Sequence, residues 1–136
     1  RMRDHSRVLS ALLKSLCLFH SLNLYINCRD IEGGLFIKHG FSTIISCRHI
    51  GKDCWINQQV TIGYSDRATS PTIGNNVNIK AGAKIIGSVT IGDDVIIRAA
   101  NTVVVKDVPS HSIVVGVSTK IIKTRNSESE AWVKIK

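Results

Sequence analysis

Aliphatic residues recur at every sixth position along most of this chain. Counting in sixes gives the series Ile73, Ile79, Ile85, Ile91, Ile97, Val103, Pro109, Val115 and Ile121. A shorter series with the same spacing lies upstream, at Ile50, Ile56 and Ile62. Five extra residues separate the two series, and the aliphatics before them are Ile31, Ile37 and Ile44. One six-residue repeat therefore extends over most of the sequence.

The residues that follow these aliphatics are restricted as well. Four positions later stand small or branched apolar residues, namely Cys54, Val60, Val77, Ala83, Val89 and Val95. Neither a helix, with a period of about 3.6, nor a half-buried strand, with a period of about 2, gives this pattern. A hexapeptide period is typical of a parallel β-helix, in which three short sides complete a triangular coil. A β-sandwich would instead show irregular strand spacing with frequent turn clusters.

The chain before the repeat has a different pattern. Leu and Val residues stand broadly at helical spacing between Ser6 and Asn23, which predicts a helix that caps the first coil or packs on a neighbouring subunit. Lys14 and His20 interrupt this stretch, and it is short for a membrane span of about 20 apolar residues. A peripheral membrane contact is a secondary interpretation. We divide the chain into an N-terminal helical segment (1–30), a β-helix domain (31–123) and a polar tail (124–136).

The composition narrows this picture. The 136 residues fit one domain, and 43% are hydrophobic but only 5% aromatic. The predicted core is therefore narrow and filled by small branched side chains. The net charge of +8 predicts an anionic partner. Nucleic acid is disfavoured, because the sequence shows no aromatic stacking platform and no binding motif.

The four cysteines do not predict a metal site. Cys17, Cys28, Cys47 and Cys54 form no CxxC pair and do not stand at zinc-ligand spacing with histidines. The sequence also shows no recognisable signal peptide. We therefore expect reduced thiols in a cytoplasmic protein that uses no metal.

The repeat predicts which side chains share a corner of the coil. Because every third aliphatic stacks on the same side, the residues two positions later form a column, His39, Gln58, Ala81, Ala99 and Val117. At a strand spacing of about 4.8 Å, His39 and Ala99 lie roughly 14 Å apart along the axis of the coil. The small residues leave a groove for an extended ligand, and the neighbouring cations Lys80 and Arg98 suit phosphates. A polar loop, Tyr64–Thr72, protrudes from the coil and offers Arg67 to an acceptor.

Four segments of this repeat resemble a known family. They are 34–40 with Phe36-Ile37-Lys38-His39-Gly40, 56–63, 81–87, and 105–109 followed by Val115-Gly116-Val117. These motifs resemble the bacterial hexapeptide-repeat acyltransferases, in particular the serine acetyltransferases and their relatives in capsule and exopolysaccharide clusters. The resemblance covers roughly residues 31–123.

The resemblance implies a left-handed parallel β-helix that forms a homotrimer and binds acetyl-CoA between subunits. It makes His39 the general base that deprotonates an acceptor hydroxyl. It also implies that Ala81 and Ala99 line the pantetheine path and that Gly63 lies close to the thioester. The coenzyme A phosphates are assigned to Lys80, Arg98 and Lys106, and the acceptor to Gln58 and Arg67.

Some positions depart from the serine acetyltransferase pattern. Lys38 replaces the acidic residue before the histidine, and Leu24 replaces the aspartate that orients the ring. The loop offers Arg67 but no histidine. Acetyl transfer is therefore the expected activity, and the acceptor is either serine or a sugar hydroxyl of a polysaccharide or its precursor. Asp30 and Glu32 are the remaining candidates for orienting the imidazole.

Two other classes use this fold. A zinc-dependent carbonic anhydrase requires three converging histidines, whereas His39, His49 and His111 fall on different sides of the predicted coil. A trimeric scaffold without activity is the non-enzymatic alternative. The retained His39 and the groove of small residues argue against it.

Overall fold

A computed structural model describes residues 23–66, 69–99 and 101–135. The strands within these ranges are β1 (Leu24–Ile31), β2 (Phe36–Ile37), β3 (Thr43–Ile50), β4 (Trp55–Ile56), β5 (Thr61–Gly63), β6 (Thr72–Ile73), β7 (Asn78–Ile79), β8 (Lys84–Ile86), β9 (Thr90–Ile91), β10 (Ile96–Ile97), β11 (Val103–Val104), β12 (Ser112–Val115), β13 (Lys120–Thr124) and β14 (Val133–Lys134). No helix occurs in the described part of the chain.

Parallel pairing stacks these strands into three flat faces. Face 1 aligns Ile45, Ile62, Ile85 and Val104. Face 2 aligns Ile31, Ile50, Ile73, Ile91 and Val108. Face 3 aligns Ile37, Ile56, Ile79, Ile97 and Val114. The predicted all-β fold, a left-handed parallel β-helix, is confirmed.

The core is a single column of branched side chains inside the triangular coil. Its fully buried isoleucines are Ile45, Ile50, Ile56, Ile62, Ile73, Ile79, Ile85, Ile91 and Ile97. Smaller residues such as Val77 and Ala83 fill the corners, and no aromatic side chain of the described residues belongs to this core. Each fully buried isoleucine contributes about 1.5–3 kcal/mol. The low aromatic content thus follows from the narrow interior.

The six-residue count is wrong near the first coil. Ile45 points inward and is fully buried, whereas the predicted Ile44 is 45% exposed. The shift arises at the turn between β2 and β3, where His39, Gly40 and Ser42 all have positive φ angles. This turn contains more residues than the corner of a regular hexapeptide, so the next inward position falls later in the sequence.

The count is also wrong near the last coils. The residues that align with the inner columns are Val104, Val108 and Val114, not Val103, Pro109 and Val115. Val104 follows Ile97 by seven residues instead of six, because the corner between them has one extra residue. Val108 then follows Val104 by only four. The shift also places Gly116, rather than Val117, two positions after the last inward aliphatic.

Both ends of the predicted β-helix domain need adjustment. Strand β1 pairs in parallel with β3 along its length, so residues 24–30 are strand and not part of a helical segment. The predicted helix over Ser6–Asn23 lies outside the described residues, except for Asn23. At the other end, β13 pairs antiparallel with β12, so Ile121 belongs to a hairpin and not to a further coil. Strand β14 extends this hairpin within the tail.

Candidate active site

The three corners of the coil have different chemistry. The histidine corner joins face 3 to face 1 and includes His39. The loop corner joins face 1 to face 2 and includes residues 64–66 and 69–71. The polar corner joins face 2 to face 3 and is rich in Asn, Asp and Ser. The predicted site residues that the structure describes fall on the first two of these corners.

His39 lies in a turn whose backbone adopts the left-handed conformation. Its φ is 70°, and those of Gly40 and Ser42 are 64° and 50°. Few residues other than glycine adopt this region, although His, Asn and Asp do so more often than most. The turn leaves the His39 side chain exposed, and no hydrogen bond or ion pair holds its ring among the described residues. The imidazole is therefore open to a ligand.

The column predicted from the repeat is confirmed in its geometry. The register Ile37–Ile56–Ile79–Ile97 aligns the residues two positions later, which are His39, Gln58, Ala81 and Ala99. Three strand spacings of about 4.8 Å separate the first of these from the last, or roughly 14 Å. The histidine corner thus forms a strip with an imidazole at one end and small side chains beyond it.

Gln58 adds an unsatisfied polar atom to this strip. Its Oε1 is buried and has no hydrogen-bond partner among the described residues. A buried polar atom without a partner is uncommon in folded proteins and calls for an explanation. The atom lies one coil away from His39 and is suited to accept a hydrogen bond from a ligand.

The predicted phosphate-binding cations do not all share one corner. Lys80 and Arg98 follow the inward residues Ile79 and Ile97, so they flank the histidine corner. Lys106 follows Val104 by two positions and lies at the loop corner instead. Gly63, at the end of β5, is also at the loop corner. Arg67 lies outside the described residues.

The two acidic residues considered for orienting His39 contact a different histidine. Asp30 Oδ2 is 2.8 Å from His49 Nδ1, and Glu32 Oε1 is 3.5 Å from His49 Nε2. The reason is the register of β1 and β3, which places Asp30 directly beside His49. The interpretation that either carboxylate orients His39 is therefore wrong within this chain.

Sequence reasoning missed an ion cluster at the polar corner. The Asp94 carboxylate is 5% exposed, and Arg125 Nε lies 2.6 Å and His111 Nδ1 2.9 Å from its Oδ2. Burial alone would raise the pKa of Asp94, but the hydrogen bonds from Arg125 and His111 outweigh it, so this pKa is lowered. The Arg125 guanidinium also stacks over Trp132, 4.5 Å from the ring centroid. This cluster fastens the C-terminal hairpin to the coil.

The described residues contain neither a metal-ligand cluster nor a membrane-spanning helix. Within residues 23–66, 69–99 and 101–135, no three His, Cys, Asp or Glu side chains are grouped as a metal site would require. In the same ranges, no helix has the length and apolar character needed to cross a membrane.

Comparison with known proteins agrees with this geometry. The family model described as "Bacterial transferase hexapeptide (six repeats)" matches residues 70–106. A serine acetyltransferase of Helicobacter pylori strain J99 is 43% identical over 96 residues, covering 68% of this chain and 56% of that protein. A serine acetyltransferase of Staphylococcus xylosus is 46% identical over 94 residues, covering 65% and 43%.

Solved structures give the same result. The Neisseria gonorrhoeae serine acetyltransferase in complex with serine is 35% identical with a TM-score of 0.63, over 70% of this chain and 39% of that one. A serine acetyltransferase in complex with CoA is 28% identical with a TM-score of 0.66, over 85% and 52%.

These relatives place the chain in the class of hexapeptide-repeat acyltransferases. Within that class, the chain belongs to the serine acetyltransferase-like branch. It spans about half the length of the curated relatives it matches, from 38% to 56%.

Proposed function

We propose that this protein transfers an acetyl group from acetyl-CoA to the hydroxyl of a small acceptor. The single observation that carries the proposal is the strip at the histidine corner. It aligns an imidazole without a partner among the described residues, the buried unsatisfied Oε1 of Gln58 and two alanines. His39 accepts the proton of the acceptor hydroxyl while that oxygen bonds to the acetyl carbon. The carbon–sulfur bond then breaks, and the coenzyme A sulfur takes the proton from the His39 imidazolium and leaves as a thiol. A general base of this kind contributes about 10²–10⁴-fold to the rate.

The same proposal includes a homotrimer, because within one chain the residues that the reaction requires lie at two different corners of the coil. His39, Ala81, Ala99, Lys80 and Arg98 line the histidine corner, whereas Gly63 and Lys106 lie on the far edge of face 1. Packing the histidine corner of one triangular coil against the loop corner of the next brings both sets to one groove. A closed ring of three such contacts leaves no corner of either kind unpaired.

The acceptor is either serine or a sugar hydroxyl. The similarity to serine acetyltransferases supports serine. Lys38 and Leu24, which replace two acidic residues of that pattern, support a sugar or polysaccharide acceptor instead. We place the reaction in the cytoplasm, where thiols stay reduced, since Cys28, Cys47 and Cys54 are free cysteines.

The proposal is tested by measuring thiol release from acetyl-CoA with serine and with a panel of sugars. His39→Asn removes the base but keeps a residue that tolerates the left-handed turn. We expect the rate to fall by about 10²–10⁴-fold while the melting temperature stays the same. His49→Asn is the matched control, because His49 is held by two carboxylates and is not assigned to the reaction. Wild-type rates in His39→Asn would overturn the assignment, and no turnover in the wild type would favour a scaffold.

A complementation experiment tests the shared groove. A Cβ added at Gly63 meets only Ile86 Cδ1, at 3.9 Å, so Gly63→Val is tolerated within its own chain and obstructs only what approaches from outside. We expect Gly63→Val and His39→Asn to be inactive separately and to regain partial activity when co-expressed. The mixed assembly then contains interfaces with His39 from one chain and Gly63 from its neighbour. Mixed trimers without any recovery would show that one chain supplies the whole site.

A further inference from the structure

A polar cavity lies at the loop corner, which within one chain is separate from the corner of His39. It has a volume of about 290 Å³ and lies between the outer surface of β1 and β3 and the loop that follows β5. Its walls include Arg29, Arg48, Ser46, Tyr64 and Ser70. None of these residues is assigned a role in acetyl transfer, although in the proposed trimer this corner faces the histidine corner of the neighbouring chain.

Two arginines stand side by side in this cavity. The register of β1 and β3 pairs Cys28 with Cys47 and Asp30 with His49, so Arg29 and Arg48 are adjacent on neighbouring parallel strands. Such strands are about 4.8 Å apart, and like charges in this arrangement destabilise a sheet. Neither guanidinium forms an ion pair with any carboxylate in the described ranges.

The nearby acidic groups are engaged elsewhere. Asp30 and Glu32 contact His49, and Asp66 accepts hydrogen bonds from the backbone and hydroxyl of Thr69. The Cys47 thiol in the cavity wall adds no charge, because burial and the neighbouring Cys28 thiol raise its pKa. Among residues 23–66, 69–99 and 101–135, no carboxylate neutralises the two positive charges of this cavity.

The remaining wall supplies neutral hydrogen-bonding groups. Ser46, Tyr64 and Ser70 provide hydroxyls, and Asn27 provides an amide. Guanidinium groups bind carboxylates and phosphates through two parallel hydrogen bonds, and the neutral groups suit the hydroxyls of the rest of a ligand. We infer that this cavity binds the phosphate or carboxylate group of a small hydroxylated molecule between Arg29 and Arg48. All of the binding residues belong to one chain, so this inference is tested separately from the proposed trimer and its activity.

The inference is tested by binding, without any measurement of acetyl transfer. The full chain is titrated calorimetrically with inorganic phosphate and, separately, with glucuronate, at constant ionic strength set with chloride. We expect saturable binding of one anion per chain and a melting temperature that rises with the anion that binds. The two arms distinguish a tetrahedral phosphate from a planar carboxylate as the preferred group.

Variants identify the two arginines. Arg29→Gln combined with Arg48→Gln should weaken anion binding at least tenfold. The double variant should melt at or above the temperature of the anion-free wild type, because a like-charge contact is removed. Lys120→Gln combined with Lys134→Gln is the matched control, since it removes the same charge at exposed positions. Failure of both anions to saturate the wild type, or equal weakening in the control, would overturn the inference.

Discussion

The polar corner and the histidine corner are built from the same repeat but differ in whether their polar side chains have hydrogen-bond partners. At the polar corner, side chains of successive coils accept backbone N–H groups from the coil before. Asn75 Oδ1 accepts from Lys52 N at 2.9 Å, Asp93 Oδ1 from Asn75 N at 2.7 Å and Ser110 Oγ from Asp93 N at 2.9 Å. At the histidine corner, His39 is unpaired among the described residues and Gln58 Oε1 is buried without a partner.

This difference separates stability from function. A satisfied ladder of side chains fixes each coil on the next and leaves nothing for a ligand to bind. An unsatisfied corner contributes less to stability and keeps donors and acceptors available for a substrate. Mutations at the polar corner should therefore change the free energy of unfolding, and mutations at the histidine corner should change binding and catalysis.

The largest expected effect on stability comes from Arg125. Arg125→Met retains an unbranched side chain over Trp132 but leaves the buried Asp94 carboxylate without its main partner. Breaking a buried ion pair by removing one member costs about 3–5 kcal/mol. We expect a loss of about 3 kcal/mol in urea unfolding, because His111 still contacts Asp94. Lys134→Met, at an exposed position of the same hairpin, should change the free energy of unfolding by less than about 0.5 kcal/mol.

Acid titration sharpens this result. The pKa of Asp94 is lowered in the folded protein, so its contribution to stability is complete above the ordinary aspartate pKa of about 3.9. The contribution is lost as the pH falls from that value through the lowered folded pKa. The wild type should therefore lose stability over this acid range more steeply than Arg125→Met. Equal acid dependence in the two proteins would mean that the cluster does not fasten the hairpin.

The sequence predicts the regular part of the fold well, because a hexapeptide period directly reports which aliphatics point inward. It places Ile56, Ile79 and Ile97 correctly, and with them the column behind His39. It fails at Ile44 and Val103, where Ile45 and Val104 point inward instead. A fixed six-residue count assumes corners of equal length, and the corners before these residues are longer.

Polar partners were harder to predict than the column. Asp94 and Arg125 are 31 residues apart, and they meet only because β13 folds back on β12. Asp30 and Glu32 approach His49 through the pairing of β1 with β3, and only Asp30 lies in the predicted N-terminal helical segment, residues 1–30. Contacts of this kind depend on register between strands, and the spacing of aliphatics along the chain contains no information about it.

The smallest expected effect on stability provides the most direct test of the comparison. Gln58→Leu replaces a buried, unsatisfied amide with an apolar group of similar size. Replacing such a group is nearly neutral or stabilising, because its desolvation is no longer uncompensated. We expect the free energy of unfolding to stay the same or rise by up to about 1 kcal/mol, whereas the affinity for acetyl-CoA or the acceptor falls severalfold. The first quantity is read from urea unfolding and the second from calorimetric titration. If Gln58→Leu instead destabilises the fold and leaves both affinities intact, the histidine corner is structural, and the contrast between the two corners is lost.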